Sequence, residues 1–171
     1  STIGLYIHIP FCKQKCFYCD FPSWAGKESM MQGYVDALTT EIRKRATEYT
    51  DKKVVSVFFG GGTPTTLSIP MLEQLMAAVF ECWDIAEDAE ITTEANPGTL
   101  DREMADALKK MGFNRLSMGV QAWQNRLLKS LGRIHSIEVF QDNFKAVREA
   151  GFENVNTDLM FALPNQTMAD W

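Results

Sequence analysis

The sequence lacks a long hydrophobic run and an excess of positive charge. No apolar stretch approaches the roughly 18 residues that a membrane-spanning helix needs, and the first residues lack the basic and apolar regions of a signal peptide. Acidic residues outnumber basic ones by 22 to 17, which argues against a nucleic acid bound through its phosphates. We therefore expect a protein of the cytoplasm that has no nucleic-acid partner.

Cysteine is also scarce, but three of the four cysteines share one short segment with the spacing C-x3-C-x2-C. They are Cys12, Cys16 and Cys19, whereas Cys82 lies far away in a helical pattern. This distribution suits two disulfides poorly, so reduced thiols are favoured. Thiolates are ligands for iron–sulfur clusters, zinc or copper(I). Three of them would leave one iron of a four-iron cluster open to another molecule. A zinc-stabilised interaction domain is the alternative, although structural zinc usually has four protein ligands.

Strand and helix patterns alternate along the chain, which is typical of parallel strands joined by right-handed crossovers. Because a complete β/α barrel takes about 250 residues, we predict an α/β fold that forms part of a TIM-like barrel and is truncated after its fifth strand. A five-stranded open sheet is the alternative. Residues 1–171 would then be the N-terminal part of one domain. The predicted strands cover 3–9, 53–59, 89–94, 114–120 and 154–161, with a helix capped by Thr99 before the fourth strand and a further helix starting near Leu163.

The residues that follow each predicted strand point to a ligand site, because ligands of parallel β/α folds bind at the carboxyl ends of the strands. The glycines after the second strand would let the backbone approach a ligand, although a tight turn is the alternative. Glu94 and Asp158 are carboxylates at the ends of apolar strands, where burial is costly without a partner. That partner is either a ligand or a salt bridge with Arg115 or Arg133.

The cysteine motif, with Tyr18 just before its last cysteine, resembles that of the radical S-adenosylmethionine (SAM) superfamily. The segments Tyr6–Cys12, 60–65, 94–97, 117–121 and 158–167 together resemble the oxygen-independent coproporphyrinogen III oxidase family within it. The resemblance implies a [4Fe-4S] cluster on Cys12, Cys16 and Cys19, with the open iron chelated by the amino and carboxylate groups of SAM. It also implies a SAM site formed by Tyr6, Tyr18, Gly61, Gly62, Thr63, Glu94, Gln121, Arg133 and Asp158.

One departure from the family pattern separates two branches. The decarboxylating members carry a further cysteine two residues after the third, whereas this chain has Asp20 and Phe21 there. The segment Cys-Phe-Tyr-Cys-Asp-Phe instead resembles the HemW branch, whose members are haem chaperones. The resemblance thus implies haem or porphyrin, a haem-acceptor protein and an electron donor as partners. The alternative is the oxidase, which removes carbon dioxide from propionate side chains of coproporphyrinogen III.

Overall fold

The computed structural model describes all residues from Ser1 to Trp171. None of its helices combines the length and the hydrophobicity that crossing a membrane requires. Two short 3-10 helices cover Glu28–Met30 and Pro64–Thr66. The strands are β1 (Thr2–Ile9), β2 (Phe11–Cys12), β3 (Trp24–Ala25), β4 (Lys53–Gly61), β5 (Ile85–Ala95), β6 (Arg115–Gln121) and β7 (Asn154–Leu159). The helices are α1 (Met31–Ala46), α2 (Ile69–Cys82), α3 (Arg102–Met111), α4 (Asn125–Ser130) and α5 (Ile137–Glu149).

Five strands form one sheet in the order β1-β4-β5-β6-β7, and every neighbouring pair is parallel. The order follows the chain without the reversal of a doubly wound sheet, so right-handed crossovers place the connecting helices on one face. On that face α1 packs against α2, α2 against α3, and α3 against α5. The sheet therefore forms part of the wall of a β/α barrel, which confirms the predicted fold class.

The two faces of the sheet differ in polarity, because successive side chains of a strand point to opposite faces. Ile9 and Phe59 are fully buried in the apolar core beneath the helices. On the opposite face the register pairs Glu94 with Ser117 and Gly119 with Asp158. Polar side chains thus line the face that would be the inside of the barrel, and this face is available to a polar ligand.

Two local expectations are wrong. The helix after β5 is capped by Asp101 and not by Thr99, since the Met104 backbone N–H donates to the Asp101 carboxylate at 2.8 Å. The Thr99 hydroxyl instead donates to the Asn96 carbonyl at 2.7 Å and closes the turn before the helix. Residues 163–171 form turns rather than a helix, and Asn165 there has a left-handed backbone with φ of 62°.

Candidate functional site

One cavity at the carboxyl ends of the sheet strands collects nearly all the predicted site residues. Tyr6 is the exception: its side chain is outside the cavity lining, is largely exposed, and donates from its hydroxyl to His8 Nδ1 at 2.9 Å. A function of Tyr6 in this site stays a prediction. The predicted residues that line the cavity are Cys12, Cys16, Tyr18, Cys19, Gly61, Gly62, Thr63, Glu94, Gln121, Arg133 and Asp158.

The cysteine loop is fixed to the glycine segment by backbone hydrogen bonds that continue the pairing of β1 and β4. The Gly62 N–H donates to the Ile9 carbonyl and the Thr63 N–H donates to the Phe11 carbonyl, both at 2.7 Å. Farther along the loop, the Phe17 N–H donates to the Leu131 carbonyl at 3.1 Å. The loop is therefore held on one side by the end of β4 and on the other by the end of α4.

Glycine is required at two positions of this segment. Gly61 has φ of 111°, and a Cβ there would lie 2.6 Å from the His8 ring. A Cβ on Gly62 would lie 2.6 Å from the Phe11 carbonyl oxygen and 3.0 Å from Cys12 Sγ. Since real Cβ atoms do not approach backbone this closely, a side chain at Gly62 would push the cysteine loop away. The glycines thus allow the end of β4 to pack closely against the cysteine loop. The alternative that they only form a tight turn does not account for this contact.

Two of the three cysteine sulfurs accept hydrogen bonds from the surrounding protein. The hydroxyl of Thr63, a buried residue, donates to Cys12 Sγ at 3.7 Å. The Arg133 guanidinium donates from Nη1 to Cys16 Sγ at 3.6 Å. Donors of this kind stabilise thiolates, which are the form that binds metal. In the structure no group of three or more His, Cys, Asp or Glu side chains is arranged to hold a single metal ion.

The carboxylates of Glu94 and Asp158 face the cavity without a cationic partner. Neither forms an ion pair within 4.0 Å, so the alternative of a salt bridge with Arg115 or Arg133 is wrong. The Gly61 N–H donates to Glu94 Oε2 at 3.2 Å. Burial raises the pKa of the Glu94 carboxyl, and the negative charge of Asp158 adds to this rise. The pair therefore favours a ligand that carries positive charge or hydroxyl donors.

Arg133 lines the same cavity and contacts several of its walls. Its guanidinium donates to the Tyr18 hydroxyl at 3.3 Å and to the Gly119 carbonyl. Its Nε is buried and has no acceptor in the protein. Burial raises the pKa of Tyr18 to about 12, although the charge of Arg133 opposes this rise. Gln121 lines the same cavity and has a left-handed backbone with φ of 70°, at an irregularity where β6 ends.

The sequence patterns do not predict that Asn96 belongs to this site. Its side chain lines the cavity, accepts a hydrogen bond from Arg133 and donates one to Thr63. Asn-Pro-Gly indicates only a turn, because those three residues are common in turns. Its position could have identified it as a site residue, because it directly follows β5 and is two residues after Glu94, at the edge of the sheet where ligands bind. Ser117 is likewise a cavity residue that the patterns do not single out.

A model of the family described as "Radical SAM superfamily" matches residues 6–171. The chain belongs to the radical SAM superfamily. It is 42% identical to "Heme chaperone HemW" of Synechocystis sp. over 97% of this chain, and 36% identical to "Oxygen-independent coproporphyrinogen III oxidase" of Salmonella typhimurium over 96%. It spans 41% of the former and 36% of the latter.

The solved structure of coproporphyrinogen III oxidase (HemN) from Escherichia coli has the same fold. The TM-score is 0.91 at 35% identity, over 98% of this chain and 39% of that one. HemN is itself a radical SAM enzyme. This similarity supports the interpretation of the sheet as part of a radical SAM barrel.

Membership of the radical SAM superfamily implies a [4Fe-4S] cluster and SAM, and the residues of the cavity fit both. Three thiolates on one loop suit a cluster, because three of its four irons each take one thiolate. The sulfur atoms then lie farther apart than the ligands of a single metal ion do. The unpaired carboxylates suit the ammonium and hydroxyl groups of SAM, and the free Nε of Arg133 suits an acceptor. The close backbone approach at Gly62 leaves the cavity open beside the sulfurs.

Replacing Glu94 by Gln tests the cost of the unpaired carboxylate. The amide oxygen can still accept from the Gly61 N–H, so we expect the cofactor-free protein to gain on the order of 1 kcal/mol in free energy of unfolding at neutral pH. The pKa of Glu94 is higher in the folded state than its ordinary value of 4.5. Its charge therefore destabilises the folded protein above the folded-state pKa, and this destabilisation disappears as the pH falls below 4.5. Urea unfolding at pH 7 and at pH 4 measures both effects.

Asn156→Ala is a control that removes a neutral contact to Asp158 in the same face of the sheet. It should not stabilise the protein at either pH. A Glu94→Gln variant that is less stable than the wild type at pH 7 would contradict this interpretation, since it would mean that the carboxylate already has a favourable partner.

Proposed function

We propose that residues 1–171 form the cluster-binding and SAM-binding part of a HemW-type haem chaperone. The observation that carries the proposal is the cavity in which Cys12, Cys16 and Cys19 meet the glycine segment and the two carboxylates. Sequence identity of 37% to 42% with HemW proteins over nearly the whole chain supports the branch. So does Asp20-Phe21 after the third cysteine, in place of the further cysteine of the decarboxylating members.

In this proposal each wall of the cavity has one task toward the cofactors. Cys12, Cys16 and Cys19 hold the cluster through their thiolates. The glycine segment lies against the amino and carboxylate ends of SAM, because Gly61 and Gly62 line the cavity and have no side chain to fill it. When bound, the cluster and SAM supply one-electron cleavage of the SAM carbon–sulfur bond.

The carboxylates and the arginine orient the remainder of SAM. Glu94 and Asp158 accept hydrogen bonds from its hydroxyl or ammonium groups, which offsets the cost of holding two carboxylates close together. Gln121 and Arg133 line the same cavity and offer amide and guanidinium donors. Tyr18 covers the cysteine loop near the cluster, and its hydroxyl accepts a hydrogen bond from Arg133.

A second candidate function is oxygen-independent coproporphyrinogen III oxidation, in which a propionate side chain loses a hydrogen and then carbon dioxide. The 36% identity to the Salmonella typhimurium oxidase and the TM-score of 0.91 to HemN favour it. The partners differ between the two functions. A chaperone needs haem and a haem-acceptor protein, whereas an oxidase needs coproporphyrinogen III and an electron donor.

Anaerobic incubation of the full-length protein with reductant, SAM and coproporphyrinogen III separates these functions. We expect tight haem binding in a parallel titration and no turnover of the porphyrinogen. Absorbance at the haem Soret band and chromatography of the porphyrins measure the two outcomes. Rapid formation of protoporphyrinogen in stoichiometric amounts would contradict the chaperone proposal and establish the oxidase.

Iron and sulfide analysis after anaerobic purification tests the ligand assignment. Cys16→Ala should lose the cluster and the brown colour, because it removes one of three thiolate ligands. Cys82→Ala is the matched control: this cysteine lies in α2, away from the cavity, and its loss should cost only about 1 kcal/mol of stability. Loss of iron in Cys82→Ala, or a colourless wild type that contains zinc, would contradict the assignment.

A further inference from the structure

Asn96 joins two groups that reach different cysteines. Its Nδ2 donates to Thr63 Oγ1 at 2.9 Å, and its Oδ1 accepts from Arg133 Nη2 at 3.0 Å. Thr63 and Arg133 are in turn the donors to Cys12 and Cys16, at 3.7 and 3.6 Å. One amide thus links the hydrogen bonds of two of the three cysteines that line the cavity.

The chemistry of these groups fixes the direction of every bond. A guanidinium can only donate, so the amide oxygen of Asn96 must face Arg133 and its NH2 group must face Thr63. The Thr63 hydroxyl accepts from that NH2 group, and its single hydrogen is left for Cys12 Sγ. Asn96 therefore orients the hydroxyl toward sulfur, which a side chain without a hydrogen-bond donor could not do.

The surroundings keep this arrangement in place. Thr63 is only 2% exposed, so its hydroxyl has no alternative partner in bulk water. Gly119 leaves the space for the network, because a Cβ there would lie 3.1 Å from Asn96 Oδ1 and 3.3 Å from Arg133 Nη2. The Gly119 carbonyl also accepts from Arg133 and limits the motion of the guanidinium.

We propose that Asn96 is a positioning residue that directs the hydrogen bonds of Thr63 and Arg133 onto Cys12 and Cys16 and thereby raises the reduction potential of the cluster. Hydrogen bonds to ligand sulfurs set this potential, because they stabilise the extra negative charge of the reduced state. The inference depends on the proposed function in one respect, namely that these cysteines hold a cluster. It assigns no contact between Asn96 and SAM.

The reduction potential of the reconstituted full-length protein tests the inference before SAM is added. Thr63→Val removes the hydroxyl with little change of shape, whereas Thr63→Ser keeps it. Thr65→Val is a matched control, because Thr65 is also buried in this segment but its hydroxyl pairs with Thr99 at 2.7 Å. Anaerobic titration with dithionite, followed by electron paramagnetic resonance, gives the fraction of reduced cluster at each potential.

We expect Thr63→Val to lower the ratio of reduced to oxidised cluster at a fixed potential about tenfold, which is about 59 mV for a one-electron couple. Thr63→Ser and Thr65→Val should keep the wild-type potential. Asn96→Ala, which removes both branches, should shift the potential in the same direction and by at least as much as Thr63→Val. Asn96→Asp should also lower it, since the carboxylate can accept from Arg133 but cannot donate to Thr63.

Iron analysis of each sample distinguishes a failure of the proposed function from a failure of the inference about Asn96. A wild-type protein without iron contradicts the proposed function. A wild-type potential in iron-loaded Thr63→Val or Asn96→Ala overturns the inference and leaves the proposed function standing. If Asn96→Ala fails to fold or to take up iron, the comparison of Thr63→Val with Thr63→Ser decides the question, and equal potentials in those two variants overturn the inference.

Discussion

The close contact between the ends of β1 and β4 is the constraint on which the rest of the site depends. Two backbone hydrogen bonds of 2.7 Å carry the parallel pairing beyond the strands, from Gly62 to Ile9 and from Thr63 to Phe11. They form only because Gly62 has no side chain, since a Cβ would meet the Phe11 carbonyl at 2.6 Å. The same contact places Cys12 beside Thr63. The position of the Cys12 sulfur is thus determined by strand pairing, which is more rigid than a free loop.

The polar inner face lowers the stability of the folded protein, because some of its polar groups have no partner within the protein. Burial and the negative charge of Asp158 raise the pKa of Glu94, which has no cationic partner. Arg133 has a buried Nε without an acceptor. The half-buried carboxylate of Glu94 and the buried Nε of Arg133 would be destabilising in a purely structural wall, since buried polar groups normally find partners. Asp158 is exposed and accepts a hydrogen bond from Asn156 at 2.9 Å. A ligand with an ammonium or hydroxyl donor and an acceptor would give Glu94 and Arg133 the partners that they lack. The groups without a partner in the protein are therefore the ones that a ligand of this chemistry would contact.

Much of the fold could be predicted from the sequence, because apolar periodicity and turn residues report local structure. Ser68 caps α2 and Gly112 closes α3 with φ of 108°, and both residue types are typical of those positions in a sequence. The positions that follow the predicted strands also identified most of the predicted residues that line the cavity. The patterns failed where neighbouring residues compete for one position, and where a contact joins segments that are distant in the chain. Thr99 closes a turn instead of capping α3, and Asn96 belongs to a network that only the folded chain assembles.

The most direct test of the central claim is the electron paramagnetic resonance spectrum of the reduced, reconstituted protein before and after SAM is added. If three thiolates leave one iron open beside the glycine segment, SAM will bind that iron and change the g values of the cluster signal. A large excess of S-adenosylhomocysteine, which lacks the sulfonium charge, serves as the comparison. A cluster signal that is identical with and without SAM would contradict the claim that this cavity joins the cluster and the cofactor.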